Sequence, residues 1–218
     1  MDNFSVDAYT PKEIADRIEK SGISKSSNDP IRVMALAILA GAFIALGAIF
    51  FTVVTYDNSH IAAGLMRLLG GLVFCLGLIL VVVAGAELFT GNNLIVMAYV
   101  DGKVSFFQLM KNWLIVYTGN FIGALGILVL IYFSNHWFIG DGTVGAKAIL
   151  IANAKVNLSW IEAFTRGVLC NILVCMAIWL CFAGRSVMDK VIAIIFPITA
   201  FVAMGFEHSV ANMYFIPA

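Results

Sequence analysis

The stretch Gly85-Ala86-Glu87-Leu88-Phe89-Thr90-Gly91-Asn92 returns 120 residues later as Gly205-Phe206-Glu207-His208-Ser209-Val210-Ala211-Asn212. Glycine, glutamate and asparagine keep their spacing in the two copies, and both copies interrupt long apolar runs. A carboxylate and an asparagine in the middle of such a run read as a broken helix rather than a continuous one. Backbone N–H and C=O groups freed at a break cannot face lipid, where each costs several kcal/mol, so they must face protein or a watery cavity. Two breaks at one fixed offset imply an internal repeat. A unit of three spans leaves the chain on the opposite side of the membrane, so the second copy must be inverted. Inverted repeats with facing broken helices are the architecture of many membrane transport proteins.

The rest of the chain fits a membrane setting. Of 218 residues, 61% are apolar and 12% charged, against about 45–50% and about 25% in an ordinary soluble domain. Thirteen Lys and Arg balance thirteen Asp and Glu, which leaves no basic field to hold nucleic acid. Runs close to the ~20 apolar residues that cross a bilayer lie at 33–56, 68–86 (resuming at 94–100), 112–133, 167–184 and 191–206. An all-α polytopic membrane protein with five spans, two of them broken, is therefore expected. Repeat one covers about 31–133 and repeat two about 160–218. A sixth span, the counterpart of 112–133, is expected but absent, so the second repeat reads as C-terminally incomplete. Arg32 leads into Ile38, Leu39, Ile44 and Leu46 as Arg166 leads into Ile172, Leu173, Ile178 and Leu180, a weaker correspondence.

Basic residues set the orientation. Lys12, Arg17, Lys20, Lys25, Arg32, Lys103, Lys111, Arg185 and Lys190 fall on one side, expected to be cytoplasmic. The turn 57–60 and a longer loop, 134–160, fall on the other. Thr10-Pro11-Lys12-Glu13 is a capping box with proline at the first helical position, followed by Ile14 and Ile18 one turn apart. Residues 1–30 thus read as a cytoplasmic amphipathic helix and linker, ahead of a single pore domain over 31–218.

Three ionisable residues lie inside apolar runs: Glu87, Glu207 and His208. The two glutamates, with Asn92 and Asn212, are expected to hold the breaks by accepting hydrogen bonds from freed backbone N–H groups. His208 titrates near neutral pH and has Leu88 at its repeat position; it is either a pore residue or a satisfied core histidine. Cys75, Cys170, Cys175 and Cys181 sit in apolar runs without metal-ligand spacing, so no metal or cofactor is expected. Neighbouring Glu-His-Ser side chains on a helix point about 100° apart, and neither H-E-x-x-H nor G-x-S-x-G occurs. An enzyme is not expected.

Taken together, Gly85 to Asn93, Asn112-Trp113 with Gly119-Asn120-x-x-Gly123, Arg166-Gly167-x-x-Cys170-Asn171-x-x-Val174-Cys175, and Gly205-Phe206-Glu207-His208-Ser209-x-Ala211-Asn212-Met213 resemble the formate/nitrite transporter family. The wording is most similar to its hydrosulfide-channel branch. The resemblance implies a homopentamer in the cell's inner (plasma) membrane, each protomer with an aquaporin-like pore for small monovalent anions such as hydrosulfide, formate and nitrite. It also implies an outer constriction at Phe74 and Phe201 and an inner one at Leu88 and Phe89. His208 would lie between them with Thr90 and Asn171 nearby, and Lys155 would bring positive charge to the outer vestibule.

Magnitudes favour passage as the neutral acid. Placing a bare carboxylate-sized anion in an apolar constriction costs ~20 kcal/mol by an idealised Born estimate. Protonating an acid of pKa ~4 at neutral pH costs only ~4 kcal/mol. An anion drawn in by Lys155, protonated by way of His208 and passed through two apolar rings is therefore expected. A proton-coupled carrier for formate or lactate-like acids and an aquaporin-like neutral-solute channel are the alternatives.

Overall fold

The computed structural model describes residues 8–57 and 61–218, and every regular element among them is helical. In chain order these are α1 (Pro11–Ser27), α2 (Pro30–Val54), α3 (Ala63–Ala84), α4 (Phe89–Asn92), α5 (Ile95–Val100) and α6 (Phe106–Phe133). After a 3-10 turn at His136–Phe138 come α7 (Thr143–Val156), α8 (Trp160–Ala183), α9 (Val187–Ala203) and α10 (Ser209–Phe215). By length and composition α2, α3, α6 and α8 can each cross a membrane. The fifth expected span is α9, which has 17 residues and an internal Pro197. Apart from Asp57, the expected 57–60 turn lies outside the described residues.

Three helices start earlier than the apolar runs alone suggest, because polar capping boxes lie upstream. The Ser105 hydroxyl accepts from Gln108 N at 3.2 Å, while Gln108 Oε1 accepts from Ser105 N at 2.8 Å. Ser159 with Glu162 and Ser186 with Asp189 start α8 and α9 in the same way. The stretch 134–160, expected as a loop, contains α7. Its Ala- and Lys-containing sequence favours a helix, and its 14 residues are fewer than the ~20 that cross a bilayer.

The repeat is larger than the breaks alone show, and its register differs from the apolar match at Arg32 and Arg166. Glu87 N donates to Leu36 O at 3.2 Å, and Glu207 N donates to Arg166 O at 3.4 Å. Leu36 is therefore the counterpart of Arg166, one helical turn beyond Arg32. An apolar helix resembles itself after a one-turn shift, so the sequence pattern could not fix this register. The same register pairs Lys25 with Lys155, and hence α1 with α7. Near the pseudo-two-fold axis α3 crosses α9, where the Cys75 thiol lies 3.4 Å from Thr199 Oγ1 and 3.6 Å from the carbonyl of Ile195, its own counterpart.

Helix α1 is docked rather than free. Ile18 and Gly22 are buried, and a Cβ on Gly22 would lie 3.3 Å from Ile95 Cα. Lys103 bridges Asp101 and Glu19, tying the α5–α6 turn to α1. Its hydrogen bonds to Asp101 and then Glu19 raise the Lys103 pKa above its usual range. Tyr9 lies beneath the Arg17 guanidinium, 3.8 Å from ring centroid to Cζ, while Arg185 donates to Ala8 O at 3.1 Å.

Glycines bring α2 and α6 together. A Cβ on Gly41 would collide with the Asn120 backbone, and one on Gly123 with the Ile38 carbonyl. Small residues of this kind let membrane helices approach backbone to backbone. Gly126, on the same helix, has nothing within 4 Å of its added Cβ. Gly41→Ala and Gly123→Ala should each lower stability by about 1–3 kcal/mol through overpacking. Gly126→Ala should be neutral or slightly stabilising, and thermal unfolding in detergent compares the three.

Candidate functional site

Each break begins with a left-handed glycine, Gly85 at φ 70° and Gly205 at φ 74°, a conformation that side chains with a Cβ rarely adopt. Three non-helical residues follow, and the chain then restarts as α4 or α10. At the first break α6 supplies a clamp. Asn120 Nδ2 donates to Ala37 O at 2.8 Å and to Glu87 O at 2.9 Å, while its Oδ1 accepts from Phe89 N at 2.9 Å. One side chain thereby satisfies three backbone groups.

The glutamates are held by side chains, not by the freed backbone N–H groups expected from the sequence. Glu87 Oε2 accepts from Lys25 Nζ at 2.8 Å and from Asn92 Nδ2 at 2.7 Å. Glu207 Oε2 accepts from Lys155 Nζ at 2.7 Å and from Asn212 Nδ2 at 2.8 Å. A Lys–Glu–Asn set thus recurs at both breaks, with its lysine carried by α1 or α7. Neither Lys25 nor Asn120 has a site role in the sequence reading; Lys25 lies 130 residues before Lys155, an offset that differs from the 120 of the breaks, so spacing does not pair the two lysines.

His208 caps α10. Its Nδ1 accepts from Ala211 N at 3.0 Å, which leaves the neutral imidazole's proton on Nε2. That nitrogen lies 3.1 Å from Thr90 Oγ1 and so donates to it, joining the two breaks across 118 residues of sequence. The ring is buried and stacks on Phe201, centroids 5.7 Å apart. Asn171 lines one cavity with Thr90 and His208, and its Nδ2 is 3.8 Å from Cys175 Sγ, whose thiol lies 3.5 Å from Thr90 O.

Two cavities approach the breaks from opposite sides. The one on the α7 side, about 260 Å³, is lined by Phe51, Phe74, Phe201, Phe215, Lys155 and His208. The one on the α1 side, about 310 Å³, is lined by Val81, Leu88, Ile95, Lys25 and Glu87. Phe74 and Phe201 meet edge to face at 5.8 Å. Leu88 lines the α1-side cavity, whereas Phe89 packs against Trp113 at 5.9 Å and Tyr117 at 4.9 Å and lines a third cavity, about 660 Å³, with Thr90, Asn171 and His208. Lys155 is not a free charge but the partner of Glu207. Arg166 also lines the α7-side cavity, leaving two cationic side chains against one carboxylate; on the α1 side Arg17, Lys25 and Lys190 face Glu87.

Two broken apolar helices meeting between paired cavities define an inverted-repeat membrane transport protein. The formate/nitrite transporter family model matches residues 12–218, and the chain belongs to that family. It is 43% identical over 210 residues to "Formate channel FocA" of Haemophilus influenzae, covering 96% of this chain and 74% of the relative. It is 42% identical over 212 residues to "Uncharacterized transporter YrhG" of Bacillus subtilis, covering 95% of this chain and 78% of the relative. A solved structure described as "Pentameric formate channel with formate bound" superposes with a TM-score of 0.83 at 41% identity, covering 86% of this chain and 74% of that one. A second, "FNT family ion channel", gives 0.85 at 27% identity, covering 94% and 81%. These relatives are channels and transporters, not enzymes.

The Lys25–Glu87 pair gives a direct test of how a break is held. Lys25→Met should cost about 2–3 kcal/mol, less than a fully buried pair because Lys25 stays partly exposed. Adding Glu87→Gln should restore part of that loss in a double-mutant cycle read by thermal unfolding.

Proposed function

We propose that the protein is a pentameric channel of the cell's inner membrane, α1 on the cytoplasmic side, that passes formate and similarly small monovalent anions by way of their neutral acids. The observation that carries this reading is the Thr90–His208 pair, one polar contact set between two cavities that both carry excess positive charge. Cationic cavities favour anions at the entrances. Leu88, Phe74 and Phe201 form apolar walls that make passage of a bare ion expensive. A proton must therefore join the anion before the narrow region and leave after it.

His208 is placed for that exchange. When Nδ1 releases Ala211 N–H and takes a proton from vestibule water, the imidazolium gives its Nε2 proton to the anion, and exchange with water then restores the neutral Nε2–H ring beside Thr90. Lys155 and Arg166 draw the anion into the outer vestibule, where Glu207 tempers the pull and lets the anion leave. Phe89, held by Tyr117, adds an apolar face beside Thr90 and His208. Asn171 tunes Thr90 through Cys175. The named formate channels among the relatives support formate ahead of hydrosulfide and nitrite as the physiological anion. Nitrite and hydrosulfide also have small neutral acids and should cross by the same route.

His208→Asn should flatten the pH dependence of formate flux between acid and neutral pH. Stopped-flow light scattering of proteoliposomes in formate, nitrite and hydrosulfide salts measures this. A wild-type pH profile in the variant would rule out the relay.

A further inference from the structure

The two cavities are built from equivalent positions, yet their linings differ in one consistent way. Five phenylalanines line the α7-side cavity: Phe51, Phe74, Phe201, Phe206 and Phe215. Their repeat counterparts are Cys181, Ile194, Val81, Ala86 and Ile95, none of them aromatic. Of the five, Phe215 is the most constrained. Its ring stacks on Phe74 at 6.4 Å and 19°, meets Phe51 edge to face at 5.8 Å and 76°, and lies 5.2 Å beneath the Lys155 ammonium. We infer that Phe215 sets the size limit for the permeating acid, by fixing an aromatic wall beside the lysine that receives the anion.

An anion that approaches Lys155 turns its oxygens toward the ammonium and its remaining substituent toward the surrounding rings. For formate that substituent is a hydrogen; for acetate it is a methyl group. Phe74 and Phe51 keep the Phe215 ring from turning aside, so the space opposite Lys155 is fixed rather than adaptable. Phe215 comes from α10, beyond the second break, whereas Phe74 and Phe201 come from the crossed helices α3 and α9. The size limit is thus set at the lysine, before the acid reaches the Phe74–Phe201 contact. Ile95, the counterpart of Phe215, is buried at 1% exposure, which shows that the repeat accepts an aliphatic side chain at this position.

The inference rests on the channel reading, so the test separates the two. Wild-type protein, Phe215→Ile and Phe215→Ala are reconstituted, and stopped-flow scattering under potassium formate and potassium acetate gradients is corrected for empty liposomes. Elution in detergent checks that each variant assembles as the wild type does. One methylene in a tight apolar site is worth ~10-fold or more, so the acetate-to-formate flux ratio should rise by ~10-fold in Phe215→Ala and by less in Phe215→Ile. Variants that pass formate with an unchanged ratio would overturn the role of Phe215 and leave the channel reading standing. Wild-type protein that passes no formate above empty liposomes would overturn the channel reading itself, and the inference with it.

Discussion

Interrupting a helix inside an apolar layer is the constraint around which this molecule is arranged. Each break frees backbone groups that lipid cannot satisfy, so other elements must be brought to them. At the first break that need is met by Asn120, whose amide serves two carbonyls and one N–H. It is also met by the backbone of α2, where Leu36 O takes the Glu87 N–H. The close α2–α6 crossing that Gly41 and Gly123 permit is what lets Asn120 reach so far. Packing by small residues and satisfaction of the break are therefore one design.

The charged residues follow from the same constraint. A glutamate at a break needs a partner, and α1 and α7 each carry a lysine to one. Neither helix is long and apolar enough to count as a span, and each covers one broken end. Each lysine is matched by its glutamate, so the excess positive charge of the cavities comes from Arg166 on the α7 side and from Arg17 and Lys190 on the α1 side, although the whole chain is neutral. Holding the break and charging the cavity thus fall to different side chains.

Symmetry supplies the scaffold, and departures from it supply the chemistry. Leu88 and His208 occupy equivalent positions at the entrances to α4 and α10. A histidine at both would place two titratable rings together, and a leucine at both would leave no proton-exchanging group. One of each gives a single polar point between apolar walls. The phenylalanines of one cavity against their non-aromatic counterparts in the repeat are a second departure of this kind.

Much was legible in the sequence because it rests on local rules. Apolar run length, the paired Gly-x-Glu breaks and the Thr10 capping box gave the all-helical class, the inverted repeat and the start of α1. The boxes at Ser105, Ser159 and Ser186 were equally local but were hidden by attention to hydropathy, and α7 by its short length. Residue types at the breaks determined that Glu87, Glu207 and His208 would matter. Only the tertiary structure decided what they touch: Lys25 and Lys155 for the carboxylates, Thr90 for the imidazole, and the α6 rings of Trp113 and Tyr117 for Phe89. These contacts join positions tens to more than a hundred residues apart. Their geometry depends on helix rotation and register, which an apolar pattern repeating every 3.6 residues leaves undetermined.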